Sequence, residues 1–288
     1  MIIIDGKQTS LDIRDEIKKE IESLKKTTGR VPGLAVVQVG ENPASKVYVN
    51  SKVRTCEALG MHSEKYILDE SAPQNELVEL IEKLNKDENI NGILVQLPLP
   101  KHIDEELITE TISSEKDVDG FKAENLGKIL MGEDDCFKSC TPYGIIELLK
   151  RYNVEMVGAD AVVIGRSNIV GKPLAALLIN ESATVTVCHR RTKNLADKVR
   201  QADIVIAAVG RKGFITADMV KEGAVVIDVG INRGEDGKLY GDVEFESVSK
   251  KAKAITPVPG GVGPMTIAML MKNTLKSFKK YQNSDKKS

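Results

Sequence analysis

The order of apolar runs along this chain constrains its fold more than any other feature. Short runs rich in valine, isoleucine and leucine alternate with longer segments whose apolar residues recur at helical spacing. We interpret residues 33–39 as a buried strand, and the further strands are residues 61–68, 92–96, 161–164, 184–188, 203–207 and 224–228. Because strands that alternate with helices build parallel sheets covered by helices, we predict an α/β fold.

Composition excludes several classes of function. The 41 basic and 42 acidic residues leave a formal charge of -1, so no overall field favours nucleic acid or an anionic membrane as a partner. No apolar run reaches membrane-spanning length, and residues 1–7 lack the basic region of a signal peptide. We therefore expect a cytoplasmic protein, and the length of 288 residues favours two domains over one.

Cysteines and histidines give no sign of a metal site. The four cysteines form no C-x-x-C pair, and their irregular spacing is typical of reduced thiols. None of the three histidines is spaced with a carboxylate as a metal site would need. We predict no bound metal.

One predicted helix carries a phenol and an amine on the same face. Asn42 as N-cap, Pro43 at the first helical position and Gly60 as the stop predict a helix between them. Within it Tyr48 and Lys52 are four residues apart, so their side chains lie one above the other. The pair resembles the start of an active site, although a solvated lysine beside a half-buried tyrosine fits the same residues.

Three loops carry residues that could bind a ligand. Gln96 begins a proline-stiffened loop at the end of a predicted strand, where parallel sheets bind their ligands. Asp119 lies in the polar turn 115–121, where an ordinary turn residue is the alternative. Residues 255–264 contain three glycines and three prolines, which suggests a shaped ligand wall.

The strand 161–164 leads into a loop similar to a dinucleotide-binding turn. The common fingerprint is G-x-G-x-x-G. Here Gly165 stands first, Ser167 replaces the second glycine, and Gly171 comes one residue later than the last. The predicted strand before the loop and the predicted helix after it support the comparison.

The turn after strand 184–188 bears on the choice of cofactor. A fold that prefers NAD usually places an acidic residue there, but this chain has His189, Arg190 and Arg191. Guanidinium groups suit a 2'-phosphate because they bind phosphate through two hydrogen bonds. We therefore expect NADP rather than NAD, with a solvated basic turn as the alternative.

Taken together, these segments resemble the bifunctional methylenetetrahydrofolate dehydrogenase/cyclohydrolase family, the FolD proteins. The segments that carry the resemblance are the Tyr48/Lys52 helix and residues 95–100, 116–120, 165–173 and 256–266. They occur in the family's order and span nearly the whole chain. The resemblance implies NADP-dependent oxidation of 5,10-methylenetetrahydrofolate to 5,10-methenyltetrahydrofolate, and hydrolysis of that product to 10-formyltetrahydrofolate.

The resemblance also implies roles for single residues. Lys52 would be the acid and base of the hydrolysis, Gln96 would hydrogen-bond it, Asp119 would hold the pterin and Tyr48 would pack on the folate rings. A lysine amine can move protons when its surroundings favour the neutral form, and an amide can orient it without adding charge. A carboxylate can accept two N–H bonds from a pterin edge.

The remaining site predictions concern cofactor and substrate. We expect the cofactor to contact Gly165, Arg166, Ser167, Arg190 and Ile231, and the substrate also to contact Pro259, Gly260 and Gly263. Arg190 departs from the family pattern, which commonly has a small hydroxyl residue at this position. Arg166 and Arg190 could clamp a 2'-phosphate together, or Arg190 could point away and leave the phosphate to Arg166 and Ser167.

For the architecture we expect an N-terminal α/β substrate domain and a Rossmann-like dinucleotide-binding domain, with a cleft between them. The first should comprise residues 1–124 and the returning residues 265–288, and the second residues 141–259. The resemblance further implies a homodimer that forms through the nucleotide domains.

Two other functions use some of the same residues. A short-chain dehydrogenase also has a Tyr-x-x-x-Lys pair, but there the pair follows the dinucleotide loop, whereas Tyr48 and Lys52 precede Gly165. A non-catalytic folate- or nucleotide-binding module would lack Lys52, Gln96 or Asp119, and all three are present. The bifunctional enzyme therefore remains the favoured interpretation.

Overall fold

The computed structural model describes residues 1–285, apart from the side chains of residues 43, 44 and 283–285. The helices are α1 (Gly6–Thr28), α2 (Pro43–Ala58), α3 (Gln74–Lys86), α4 (Glu105–Thr111), α5 (Ala123–Leu130), α6 (Cys140–Arg151), α7 (Gly171–Asn180), α8 (Leu195–Gln201), α9 (Phe245–Val248) and α10 (Val262–Asp285). The strands are β1 (Ile2–Ile3), β2 (Gly33–Val39), β3 (His62–Leu68), β4 (Gly92–Val95), β5 (Asp160–Ile164), β6 (Thr184–Cys188), β7 (Ile204–Ala207), β8 (Val225–Asp228), β9 (Asn232–Arg233), β10 (Leu239–Tyr240) and β11 (Ala254–Ile255). Among the helices of residues 1–285, none is both long and apolar enough to cross a bilayer.

One compact unit contains a three-stranded sheet and comprises residues 12–127, 135–138 and the chain from residue 270 onward. Its strands are all parallel, in the order β3-β2-β4. Every residue of the central strand β2 is buried, which explains its unbroken apolar run. Helix α3 packs Leu77, Ile81 and Leu84 into the core that it shares with this sheet.

The other compact unit contains a six-stranded sheet and comprises residues 1–11, 128–134 and 139–269. Its strands are also parallel, in the order β1-β11-β8-β7-β5-β6. From β5 the chain first goes to β6 on one side and then to β7 on the other. Ligands of such sheets bind at this reversal, beyond the carboxyl ends of the strands. The loops that follow β5 and β7 are therefore the expected place of a ligand site.

The structure confirms the α/β class and a strand at each predicted position, with ends that differ by at most one residue. It also contains strands that were not predicted: β1, β11 and the antiparallel pair β9 and β10. Each has only two residues, which is too short to show a periodic pattern. Helix α6 begins at Cys140, and Ser139 occupies the capping position. The domain bounds 1–124 plus 265–288 and 141–259 stay predictions.

Candidate active site

Helix α2 presents the predicted Tyr48 and Lys52 one turn apart. The helix begins at Pro43, and Oδ1 of Asn42 accepts the N–H of Ser45 at 3.2 Å, which confirms Asn42 as the cap. Tyr48 is 43% exposed, so its ring offers a surface to a ligand. Val49, the next residue, is fully buried and packs its side of the helix into the core.

The structure brings Lys52 into contact with Gln96. Nζ of Lys52 donates to Oε1 of Gln96 at 3.0 Å. Nε2 of Gln96 donates to the carbonyl oxygen of Leu97 at 2.6 Å, so its amide oxygen faces the lysine. The N–H of Gln96 also donates to the carbonyl oxygen of Val37 at 2.8 Å. Gln96 is therefore fixed through both its main chain and its side chain, and it presents a neutral acceptor to the amine.

Asp119 lies in a loop that is fastened to β4, the strand that Gln96 follows. The N–H of Ile93 donates to the carbonyl oxygen of Lys116 at 2.9 Å. Nδ2 of Asn273 donates to the carbonyl oxygen of Val118 at 2.8 Å. A β-carbon added to Gly92 would stand 2.7 Å from Cγ2 of Val118, so only glycine lets this loop approach the strand. The half-buried Asp119 follows directly after this fixed segment.

Asp117 organises the same loop, and the sequence analysis missed it. Its side chain is 1% exposed. Oδ1 accepts the N–H groups of Gly120 and Phe121 at 3.1 and 3.2 Å. Oδ2 accepts the N–H of Lys122 at 2.9 Å and Nδ2 of Asn125 at 2.7 Å. Burial raises the pKa of Asp117 to about 6, although these hydrogen bonds favour the anion. An aspartate between charged neighbours resembles surface sequence, so no signal marked it.

The lysines before and after Asp117 in this loop are buried, and each binds the carboxyl-terminal end of a helix. Nζ of Lys116 donates to the carbonyl oxygens of Leu84 and Asp87, at 2.9 and 2.7 Å, at the end of α3. Nζ of Lys122 donates to the carbonyl oxygens of Glu110 and Ile112, at 2.6 and 2.7 Å, at the end of α4. Cations at these positions satisfy carbonyl groups that a helix leaves unpaired. The charged residues around Asp119 are therefore largely structural.

In the six-stranded unit, residues 165–171, which we call the dinucleotide loop, connect β5 to α7. Gly165 has a φ of +143°, and a β-carbon on it would overlap the carbonyl oxygen of Ala208. A β-carbon on Gly171 would overlap the carbonyl oxygen of Gly165. Both positions therefore require glycine, as a tight dinucleotide turn does. Oγ of Ser167 accepts the N–H groups of Val170 and Gly171 at 3.2 and 3.4 Å, which holds the loop against the start of α7.

Arg166 and Arg190 follow neighbouring strands at matching positions. Ile164 pairs with Cys188 at the ends of β5 and β6, and each arginine comes two residues after its strand. Both side chains are exposed. Among the described residues, neither guanidinium group forms a salt bridge. A pair of uncompensated cations at the carboxyl edge of these strands suits an anionic group.

Other predicted binding residues lie near each other in the same unit. Ile231 follows β8 and is 50% exposed. Its Cδ1 is 4.0 Å from the position of a β-carbon on Gly263. The preceding loop contains Gly260, whose φ is +102° and whose carbonyl oxygen accepts the N–H of Lys7 at 2.8 Å. Pro259 is exposed next to Gly260, after a cis peptide bond.

Two buried aspartates in this unit were also missed. Asp242 is fully buried and Asp228 is 4% exposed. Asp228 accepts the N–H groups of Gly230, Asp242 and Val243, each at 2.9 Å. Burial raises the pKa of Asp228 to about 6. Within residues 1–285, no group of three or more histidine, cysteine, aspartate or glutamate side chains could hold a metal ion.

Comparison with known proteins gives matches along nearly the whole chain. The family description of the tetrahydrofolate dehydrogenase/cyclohydrolase catalytic domain matches residues 4–119, and that of the NAD(P)-binding domain of the same family matches residues 139–282. The bifunctional protein FolD of Chlorobium luteolum is 58% identical over 97% of this chain and 99% of its own length.

Solved structures give the same result. The bifunctional FolD enzyme of Campylobacter jejuni, a methylenetetrahydrofolate dehydrogenase/cyclohydrolase, superposes with a TM-score of 0.96 and 54% identity, covering 97% of this chain and 99% of that one. FolD of Trypanosoma brucei, solved with NADP cofactor and an inhibitor, superposes with a TM-score of 0.93 and 40% identity. That match covers 97% of this chain and 98% of the other.

Proposed function

The chain belongs to the tetrahydrofolate dehydrogenase/cyclohydrolase family, and on that premise we propose which of its residues carry the two reactions. The enzyme oxidises 5,10-methylenetetrahydrofolate to 5,10-methenyltetrahydrofolate with NADP, and it hydrolyses the product to 10-formyltetrahydrofolate. Relatives of 58% and 54% identity that match over nearly their full length are named bifunctional, and nothing supports a non-catalytic binding module.

We assign the proton transfers of the hydrolysis to Lys52. Water adds to the cationic methenyl carbon and loses a proton, which gives a neutral carbinol. The hydroxyl group then loses its proton to form the formyl C=O as one C–N bond breaks and the leaving nitrogen gains a proton. One group that both accepts and donates a proton serves these steps. The observation that carries this assignment is the contact of 3.0 Å between Nζ of Lys52 and Oε1 of Gln96. The neutral amide orients the amine and adds no charge that would hold it protonated.

Asp119 and Tyr48 would bind the folate itself. A carboxylate at Asp119 can accept two N–H bonds from the 2-amino pyrimidinone edge of a pterin. The fixed loop around Val118 supports this role, because a preorganised acceptor loses little entropy on binding. The exposed ring of Tyr48 supports a stacking role, worth roughly 0.5 to 1.5 kcal/mol beyond its burial. From the family resemblance we also assign Pro259, Gly260 and Gly263 to substrate binding.

The residues of the six-stranded unit fit NADP. The tight turn formed by Gly165 and Gly171 between β5 and α7 suits the close approach of a dinucleotide. Arg166 and Arg190 would hold the 2'-phosphate, and the exposed Ile231 would contact the cofactor. NADP, when bound, accepts the hydride from the folate. The protein's own part in that step is to hold the two molecules in the reacting orientation.

We also propose that the enzyme is a homodimer and works in the cytoplasm. The dimer rests on the family resemblance, and the compartment on the four free, buried cysteines, which suit a reducing environment. Sedimentation equilibrium at micromolar protein tests the dimer directly. A single species with the mass of one chain across the concentration range would contradict it.

The function is tested by mixing the enzyme with 5,10-methylenetetrahydrofolate and either NADP or NAD. Absorbance follows the reduced cofactor and the methenyl product in the same sample. We expect turnover with NADP, a low methenyl signal and accumulation of 10-formyltetrahydrofolate. Turnover with NAD alone would contradict the proposed roles of Arg166 and Arg190, and absence of turnover with either cofactor would contradict the enzymatic function.

A further inference from the structure

The buried carboxylate of Asp242 joins two loops that come from different parts of the chain. Its Oδ2 accepts the N–H groups of Val209 and Gly210 at 2.6 and 2.9 Å. Its Oδ1 accepts the N–H of Arg211 at 2.8 Å and Nδ2 of Asn232 at 2.9 Å. Three successive N–H groups therefore close around one carboxylate, and a side chain of the second loop completes the set.

Both loops lie at the edge of the sheet where the cofactor is expected. Residues 209–211 follow β7, which neighbours β5 at the reversal of strand order. They are adjacent to the dinucleotide loop, since a β-carbon on Gly165 would overlap the carbonyl oxygen of Ala208. Asn232 directly follows Ile231, which we assigned to the cofactor. One carboxylate thus holds the backbone on two sides of the proposed site.

The contacts around Asp242 fix the position of its carboxylate. The main chain of Asp242 and Val243 is itself bound to the carboxylate of Asp228, through N–H bonds of 2.9 Å. A β-carbon on Gly230 would overlap Oδ1 of Asp242, and one on Gly241 would overlap Oδ2 of Asp228. The carboxylate of Asp242 is therefore held in one position by its own backbone, and the two loops take their positions from it.

We propose that Asp242 is a positioning residue for the cofactor site, and this rests on the proposed NADP-dependent function. It lies beneath the loops and acts through the shape that it imposes on residues 209–211 and 230–232. No described residue between 205 and 235 offers a second carboxylate to these three N–H groups. A purely structural role would lower stability, but it would not single out the affinity for the cofactor.

The variant Asp242→Asn tests the proposal. The amide has the same size but turns an NH2 group toward part of the donor set, so some buried N–H groups lose their acceptor. We expect the dissociation constant of NADPH, from fluorescence titration, and the KM for NADP each to rise by about tenfold or more. Hydrolysis of methenyltetrahydrofolate, which needs no nucleotide, should stay within about twofold. Glu235→Gln, an exposed substitution between β9 and β10, is the matched control.

The outcomes separate this proposal from the function on which it rests. If the unchanged enzyme does not bind NADPH, the proposed function is wrong. If it binds NADPH and Asp242→Asn binds equally well, the positioning role is wrong. If Asp242→Asn loses hydrolysis as well, a second variant, Asn232→Ala, tests the positioning role. It removes one hydrogen-bond donor to Asp242 and keeps the carboxylate. Weaker NADPH binding with intact hydrolysis in that variant would support the proposal, and unchanged binding would overturn it.

Discussion

Nζ of Lys52 on α2 meets Oε1 of Gln96, which follows β4, at 3.0 Å across 44 residues of sequence. The two side chains reach each other because β2, which leads into α2, is the hydrogen-bonded neighbour of β4. The amide orients the amine without adding a charge next to it. The sharpest predictions concern this pair.

Lys52→Met should lower hydrolysis of methenyltetrahydrofolate by about a hundredfold or more, since it removes the group that moves protons. Folate affinity, measured by equilibrium dialysis, should change far less. Lys46→Met is the control, because Lys46 is an exposed lysine of the same helix. Equal hydrolysis by Lys52→Met and the unchanged enzyme would remove Lys52 from its assigned role.

Gln96→Glu should also reduce hydrolysis, for an electrostatic reason. The carboxylate would keep the contact with Lys52 but stabilise the charged amine, so that less of the neutral amine is available to accept a proton. We expect a loss of about tenfold at neutral pH and a partial recovery at higher pH. The pH profile of kcat for hydrolysis measures this loss and its recovery. A profile that matches that of the unchanged enzyme would contradict the assignment of Gln96.

Arg190→Ala decides between the two arrangements of the 2'-phosphate site. If Arg190 holds the phosphate, its loss should raise the KM for NADP by about 10- to 100-fold, as expected for a charge-assisted hydrogen bond. The KM for NAD, which lacks this phosphate, should not change. Arg191→Ala, an exposed neighbour, is the control. An unchanged KM for NADP would leave the phosphate to Arg166 and Ser167.

Gly92→Ala should displace the loop that carries Asp119. The new methyl group would stand 2.7 and 2.8 Å from the side-chain carbons of Val118, which must move. We expect a loss of about 1 to 3 kcal/mol in the free energy of unfolding, together with weaker folate binding. Gly127→Ala in α5 is the control, because its methyl group meets open space. Urea unfolding and folate titration of both variants provide the comparison, and full folate affinity in Gly92→Ala would count against preorganisation of Asp119.

Asp117 should make stability depend on pH. Burial raises its pKa from 3.8 to about 6, so the folded state holds this proton more tightly than the unfolded chain does. The contribution of Asp117 to the free energy of unfolding therefore falls as pH rises from about 4 to about 6, and is constant above that range.

Asp117→Asn cannot titrate, and it isolates this effect. Relative to the variant, the unchanged enzyme should lose stability across that pH window in urea unfolding experiments. Asp228, whose pKa burial also raises to about 6, is present in both proteins and cancels in the difference. Parallel stability curves for the two proteins would show that Asp117 has no raised pKa.

Sequence patterns predicted the parts of the fold that are encoded locally. The strands β5 to β8 each carry a β-branched run, and α2 carries its own cap at Asn42. The pairing of β1 with β11 is different, since Ile2 finds its partner at Ala254 and two residues show no period. Such short strands form because neighbouring strands pair with them, and a local sequence pattern does not reveal that pairing.

The residues of the candidate site also fall into those that the sequence revealed and those that it did not. Lys52, Gln96 and Asp119 were recognised because their residue types match the chemistry of a known family. Asp117 and Asp242 were missed because their partners are mostly backbone N–H groups, and any residue can supply those. Burial of an acid is a tertiary property, and both aspartates sit in polar segments that resemble ordinary turns.

The pairing of β1 with β11 sets an order for folding during synthesis. Residues 12–127 of the three-stranded unit have all left the ribosome long before residues 254 and 255 are made. Strand β1 therefore cannot reach its native pairing until residues 254 and 255 have been made, because among the described strands its neighbour in the sheet is β11. Ile2 and Ile3 thus precede every other strand along the chain but pair late, and this apolar segment stays unpaired until β11 has been synthesised.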